Sequence, residues 1–351
     1  MKKNKSYQIY QRTEYFFSII VNELKKFNPE SIIVYGSYGR NEGAWIAEGA
    51  TYKPYNDFDI VVVSNDNISK SIIDKAVDSI KLKTGVEWID LQFFSSMKLK
   101  KLSKKTMFNY DLKFGSKIIY GNKKILENIP IKKSDSINIK DLEVLFNTRL
   151  WALYASFNDL KNLNEEESLL FRYQMSKAIL ASVESYLIRN NHYFSSYNLK
   201  VEKYLKISNK NHKLVKWALQ QKFNPYTSKI KFDEAQYLLN ETKDIFFNEF
   251  FKSLSIIYKK DIISVNEILV FRSSLRNKLK SIGKYILLRE HDIFKRNSVR
   301  QLELILSISN DNDNFDNYEP FFSNNIKHLS IEYQNSFELK QKISKMRFGN
   351  L

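Results

Sequence analysis

Cysteine is absent from all 351 residues, which excludes disulfides and thiol chemistry. Histidine is scarce: His192, His212, His291 and His328 are scattered without metal-ligand spacing, and each reads as a surface or internally satisfied histidine. No apolar run is long enough to cross a bilayer. The run from Tyr15 to Val21 is short, and no small-residue cleavage site follows the basic opening Met1-Lys2-Lys3-Asn4-Lys5. Neither a signal peptide nor a membrane partner is expected, and the expected location is cytoplasmic. No internal repeat is evident, and no nucleic-acid-binding signature stands out beyond net charge.

What is present is an ordinary globular composition, 43% hydrophobic and rich in Tyr and Phe, in a chain long enough for two domains with sizeable cores. The net charge is +17 and comes mostly from lysine, in a chain also rich in Asn and Ile. That combination often accompanies an A/T-rich genome. It suits a nucleic-acid partner and equally a site that handles nucleoside triphosphates.

The densest information lies in Val34-Tyr35-Gly36-Ser37-Tyr38-Gly39-Arg40 and in Asn56-Asp57-Phe58-Asp59-Ile60-Val61-Val62. The first reads as a strand ending in a small-residue turn, the second as a strand opening with two carboxylates. Alternation puts Asp57 and Asp59 on one face, about 7 Å apart along the chain. Two acids that close repel unless a positive charge lies between them, and hard oxygen donors suit Mg²⁺ or Mn²⁺. A glycine-rich turn opening a helix is an anion site, to which Arg40 adds a fixed positive charge. A third acid, Asp90, sits in the strand-like segment Val86-Glu87-Trp88-Ile89-Asp90-Leu91-Gln92-Phe93-Phe94, on the face of Trp88 and Gln92. If that strand lies beside the Asp57/Asp59 strand, three carboxylates converge. Each part also has a plain structural reading: a turn, a solvated strand entry, an acid paired with a lysine.

Gly36-Ser37, Asp57-Phe58-Asp59 and Asp90 together resemble the motif of the DNA polymerase beta-like nucleotidyltransferase superfamily. The form Val-Tyr-Gly-Ser-x-Gly-Arg looks most like bacterial members that nucleotidylate small molecules, such as aminoglycoside nucleotidyltransferases. The resemblance covers roughly residues 30 to 125. It implies that Gly36 and Ser37 hold the triphosphate of a nucleoside triphosphate co-substrate and that Arg40 reaches a phosphate. It also implies that Asp57, Asp59 and Asp90 are the catalytic metal ligands, with Asp90 also acting on the acceptor hydroxyl. The implied acceptor is a small-molecule hydroxyl. An RNA 3′ end or a protein side chain is an alternative acceptor, and nucleotide binding without turnover is an alternative of another class. The stretch between Ser37 and Asp57 is longer than usual, and residues 42–55 are expected to form a loop over the site or a harmless insertion.

The expected fold class is α/β (α+β), a nucleotidyltransferase domain with a small mixed sheet over residues 1–130. An all-α helical bundle over 138–351 is expected to follow, for acceptor binding and cleft closure. Helices are expected at 7–27, 68–83, 140–160, 165–190, 199–206, 211–221, 231–258, 264–281, 283–307 and 328–346. Strands are expected at 32–35, 58–63 and 86–94, then a last helix turn and a short edge strand within 110–126, and a polar loop at 310–317. Lys177, on a helix face with Tyr173 and Leu180, is the candidate basic residue that relatives supply to the phosphates. It reads equally as a surface lysine. The run Lys98–Lys105 reads as a solvated helix face rather than a polyanion patch.

Overall fold

A computed structural model describes the chain except residues 1, 50, 67, 158, 274–292, 309–317 and 348–351. The chain divides into two compact units, residues 1–141 with 187–226 and residues 142–186 with 227–351. Segment 187–226, expected within the helical region, therefore belongs to the first unit.

The first unit opens with α1 (Lys2–Leu24), whose helical stripe Phe16, Phe17, Ile20 and Leu24 is buried. A 3₁₀ turn at Lys25–Phe27 follows; Asn28 takes the left-handed conformation at φ 44°, and Pro29 lies beyond it. Then come β1 (Ser31–Tyr35), α2 (Gly36–Gly39), β2 (Trp45–Glu48), β3 (Thr51–Pro54), β4 (Phe58–Val63), α3 (Lys70–Thr84) and β5 (Ile89–Phe94). After these lie α4 (Ser96–Lys100), α5 (Met107–Phe114) and β6 (Lys117–Gly121).

The main sheet has the order β5-β4-β1-β6. Strand β1 is antiparallel to both β4 and β6, while β4 and β5 are parallel. It is a small mixed sheet, as expected. The central strands are buried on both faces, so β1 and β4 read as near-continuous apolar runs. Ile32, Val34, Phe58, Ile60 and Val62 join Phe16, Phe17 and Ile20 of α1 and Ala76 and Ile80 of α3 in one core. That leaves the alternate residues, Tyr35, Asp59, Asp90 and Gln92 among them, on the other face.

The 42–55 insertion is not a loop. It is the hairpin β2–β3, with Trp45 paired to Pro54 and Glu48 to Thr51. Its base is built into the core: Trp45 stacks on Phe16 at 6.1 Å between ring centroids. The Tyr38 hydroxyl donates to the Ala44 carbonyl at 2.8 Å, and the Ala44 N–H donates to Asn56 Oδ1 at 2.8 Å. An apolar anchor at Trp45, paired to buried Pro54, makes a strand pair where composition alone suggested irregular chain.

The lysine run departs from its expected helix as well. Only Lys98–Lys100 are helical, in α4, while Lys100, Lys101, Lys104 and Lys105 are exposed.

Helices α6 (Asp141–Tyr154) and α7 (Glu165–Arg189) follow, then α8 (Tyr197–Ile207) and α9 (His212–Phe223). In the first unit, buried Glu42 caps α8: its carboxylate accepts from Ser196 Oγ at 2.6 Å and from the Tyr197 N–H at 3.0 Å. Arg40, its side chain 8% exposed, donates to the same carboxylate at 3.1 Å and lies 3.6 Å from Asp111. An acid on the first N–H groups of a helix, itself neutralised by a buried guanidinium, ties segment 187–226 to the turn after β1.

The second unit holds α10 (Phe232–Tyr258), α11 (Val265–Ser273), α12 (Ile293–Ile308), α13 (Glu319–Leu329) and α14 (Ser336–Arg347), with most of α6 and α7. Phe146, Phe246 and Phe250 cluster at 4.9–6.1 Å in its core. Buried Glu303 accepts from the Tyr154 hydroxyl at 3.0 Å and from Arg347. Burial raises its pKa above the ordinary carboxylate range, against the pull of Arg347.

The single helix expected over 328–346 is two. Ser330 turns left-handed at φ 53° and closes α13. Asn335 then accepts from the Glu338 N–H at 3.0 Å, while Glu338 reaches back to the Gln334 N–H at 2.8 Å, a reciprocal cap that starts α14. The expected helices 264–281 and 283–307 are described only as α11 and α12, and their remainder, the 310–317 loop and His291 lie outside the described residues.

Among the described residues no helix is long and apolar enough to cross a membrane.

Glu42→Ala is expected to cost about 3–5 kcal/mol, because it uncaps α8 and removes one of two acids beside a buried guanidinium. Thermal unfolding with limited proteolysis checks this. Cleavage within residues 190–198 should appear first in the variant, and an unchanged midpoint would contradict the capping role.

Candidate active site

Strand β1 delivers Tyr35, and the chain then turns at Gly36, where φ is +66°. A side chain there would be strained, and a Cβ would stand 1.9 Å from Asp59 Oδ2. Glycine is therefore required twice, by conformation and by the carboxylate packed against it. The turn continues as α2, with Ser37 buried. Gly39 fits against β1 so closely that a Cβ would lie 2.4 Å from the Val34 carbonyl oxygen.

Strand β4 approaches from the other side. Phe58 points into the core between Asp57, just before the strand, and Asp59, within it. The register places Asp59 directly opposite Tyr35 on β1 and directly opposite Asp90 on β5. Asp57 and Asp90 are exposed, and Asp59 is half-buried. Like charges facing each other in a sheet are destabilising unless donors or a cation offset them.

Donors are present. The Tyr35 hydroxyl donates to Asp90 Oδ2 at 2.9 Å. Gln92 Nε2 donates to Asp90 Oδ2 at 3.1 Å and to the Tyr35 oxygen at 3.2 Å. The Tyr35 pKa is raised well above the ordinary tyrosine range, first by burial, then by the charges of Asp59 and Asp90, the hydrogen bond to Asp90 and the charge of Asp57. One phenol thus feels all three carboxylates, and near neutral pH it stays protonated as a donor.

An aromatic border flanks this face. Tyr35 meets Phe108 of α5 edge-on at 5.6 Å, and Phe108 meets Phe94 of β5 at 6.4 Å. The Lys98 ammonium lies 3.5 Å from the Phe94 ring centroid, and burial lowers its pKa. Phe108 keeps 37% of its surface exposed.

Among the described residues, no three His, Cys, Asp or Glu side chains stand as a group able to hold a metal ion. What fits Mg²⁺ or Mn²⁺ is the donor chemistry, hard carboxylate oxygens, and the strand register that sets Asp59 opposite Asp90. The fit is one of donor type and register, not of preformed coordination.

Of the residues expected in the site, Gly36, Ser37, Asp57, Asp59 and Asp90 lie on neighbouring strand ends and the turn between them. Arg40 follows the turn, but its guanidinium is engaged by Glu42 and Asp111 and lies over the Tyr197 ring at 5.3 Å. Burial opposes its charge, yet Asp111, Tyr197 and Glu42 outweigh that and raise its pKa. Lys177 belongs to the second unit, its ammonium 4.9 Å from the Tyr173 ring centroid.

Tyr35, Gln92 and Phe108 were not among the expected site residues. The alternation of β5, which sets Gln92 on the face of Asp90, was a readable signal for one of them. No protein-family model, curated protein or solved structure matches the chain.

Gly36→Ala is expected to cost about 1–2 kcal/mol from its left-handed conformation alone and more through the Asp59 contact. In an Asp59→Ala background the excess should vanish. Urea unfolding of wild type, both single variants and the double variant measures this, and an equal cost in both backgrounds would refute the contact.

Proposed function

We propose that the protein is a nucleotidyltransferase of the DNA polymerase beta-like type, transferring a nucleoside monophosphate from a nucleoside triphosphate to a hydroxyl of a small-molecule acceptor. The observation that carries this reading is the placing of Asp59 opposite Asp90 on adjacent parallel strands, with the Gly36 turn packed against Asp59. The N–H groups of a helical turn opened by Gly36-Ser37 suit a triphosphate. Asp57, Asp59 and Asp90 would hold Mg²⁺ or Mn²⁺, which when bound neutralises charge on the phosphates and on the leaving pyrophosphate.

The chain's own residues do the rest. The acceptor oxygen attacks the α-phosphorus, the bond between the α-phosphorus and the bridging oxygen breaks, and pyrophosphate departs. The hydroxyl proton passes to solvent beside Asp90, which is exposed and orients the acceptor. Phe108, still 37% exposed, borders that face with apolar surface, which favours a small acceptor with a flat or hydrophobic side.

Pyrophosphate release tests the proposal. The four nucleoside triphosphates are supplied with Mg²⁺ and either a small-molecule cell extract or total RNA. Release that needs the extract is expected, and Asp57→Ala should lower it at least about a hundredfold. Release only with RNA would move the acceptor to a polymer, and no release in any arm would count against catalysis on either.

A further inference from the structure

We infer that Tyr35 and Gln92 are positioning residues that fix Asp90 as a one-oxygen ligand. This rests on the metal site proposed above. Both donors converge on the same oxygen: Tyr35 Oη lies 2.9 Å and Gln92 Nε2 3.1 Å from Asp90 Oδ2. Gln92 also donates to Tyr35 Oη at 3.2 Å, which closes a triangle. An oxygen that accepts two hydrogen bonds is a poor further donor to a cation, so Oδ1 is left as the coordinating atom. Carboxylates that ligate metals are commonly held this way by a surrounding hydrogen bond, which fixes their orientation.

The geometry sets the triangle up from rigid parts. Tyr35 is the last residue of β1, only 8% exposed, and its ring is held edge-on by Phe108. Gln92 lies two residues beyond Asp90, on the same face of β5. Asp90 is exposed, so without these donors its carboxylate would sample several rotamers, and a cation would have to order it on binding. The hydroxyl and amide do that ordering in advance. They are positioning residues because they act through Asp90 and not on the reacting atoms.

Uptake of Mn²⁺ alone, followed by electron paramagnetic resonance of the free ion, separates this from a packing role. Tyr35→Phe keeps the ring and its contact with Phe108 and loses only the hydroxyl. It is expected to weaken Mn²⁺ binding about tenfold, within the range typical for loss of such a partner, at an unchanged thermal midpoint. Gln92→Leu, at a half-buried position, is the second variant and should weaken binding in the same direction. In an Asp90→Asn background, Tyr35→Phe should have no further effect. Mn²⁺ affinity unchanged in both variants, with Asp90→Asn still weakening it, would overturn the positioning role and leave the metal site standing. A wild-type protein that takes up no Mn²⁺ would overturn both.

Discussion

Two carboxylates, Asp59 and Asp90, face each other across adjacent parallel strands, and the chain is arranged around that repulsion. Packing alone would not choose this register, since acids opposite one another in a sheet are unfavourable. It holds because the other face of the same strands is apolar and buried. Phe58 and Ile60 on β4 and Ile89 and Leu91 on β5 point toward α1 and α3. A one-residue slip of β5 would turn Asp90 toward that core and Ile89 and Leu91 away from it, so the hydrophobic pattern enforces the carboxylate pairing.

The surrounding devices follow from the same constraint. Gly36 must be glycine because its Cα passes against Asp59, and its positive φ opens the turn that carries Ser37. Tyr35 and Gln92 supply hydrogen-bond donors that partly offset the negative charge at Asp90. Arg40 lends its charge to structure instead: buried between Glu42 and Asp111, it neutralises the carboxylate that caps α8. The hairpin β2–β3 is anchored by Trp45 and by Tyr38, which bonds across its base to Ala44. Turn, hairpin and the acid that caps α8 thus share one short segment, residues 36 to 56.

Much of this was legible from residue order. Strand β4 is found at its expected bounds, and β1 within one residue, because continuous apolar runs between turn residues have few other meanings. The convergence of Asp90 with Asp59 was conditional on strand adjacency, which no local pattern fixes, and the parallel pairing of β4 with β5 supplies it. The hairpin was not legible, because Gly43, Gly49 and Pro54 read as loop while the pairing depends on where Trp45 is buried. Arg40 was placed by proximity to the turn; of the acids that claim its charge Glu42 is close in sequence, but Asp111 lies far downstream. The break between α13 and α14 carried a local signal in Asn335-x-x-Glu338. The assignment of 187–226 to the first unit rests on contacts such as Ser196 with Glu42, which helical periodicity does not encode.

The most direct test of the carboxylate register as a cation and triphosphate site is a crystal structure with Mg²⁺ and a non-hydrolysable nucleoside triphosphate. The account predicts metal density between the carboxylates of Asp59 and Asp90, and phosphates against the backbone of Gly36 and Ser37. Nucleotide bound elsewhere with those carboxylates metal-free, or a triphosphate held without contact to the Gly36 turn, would contradict it.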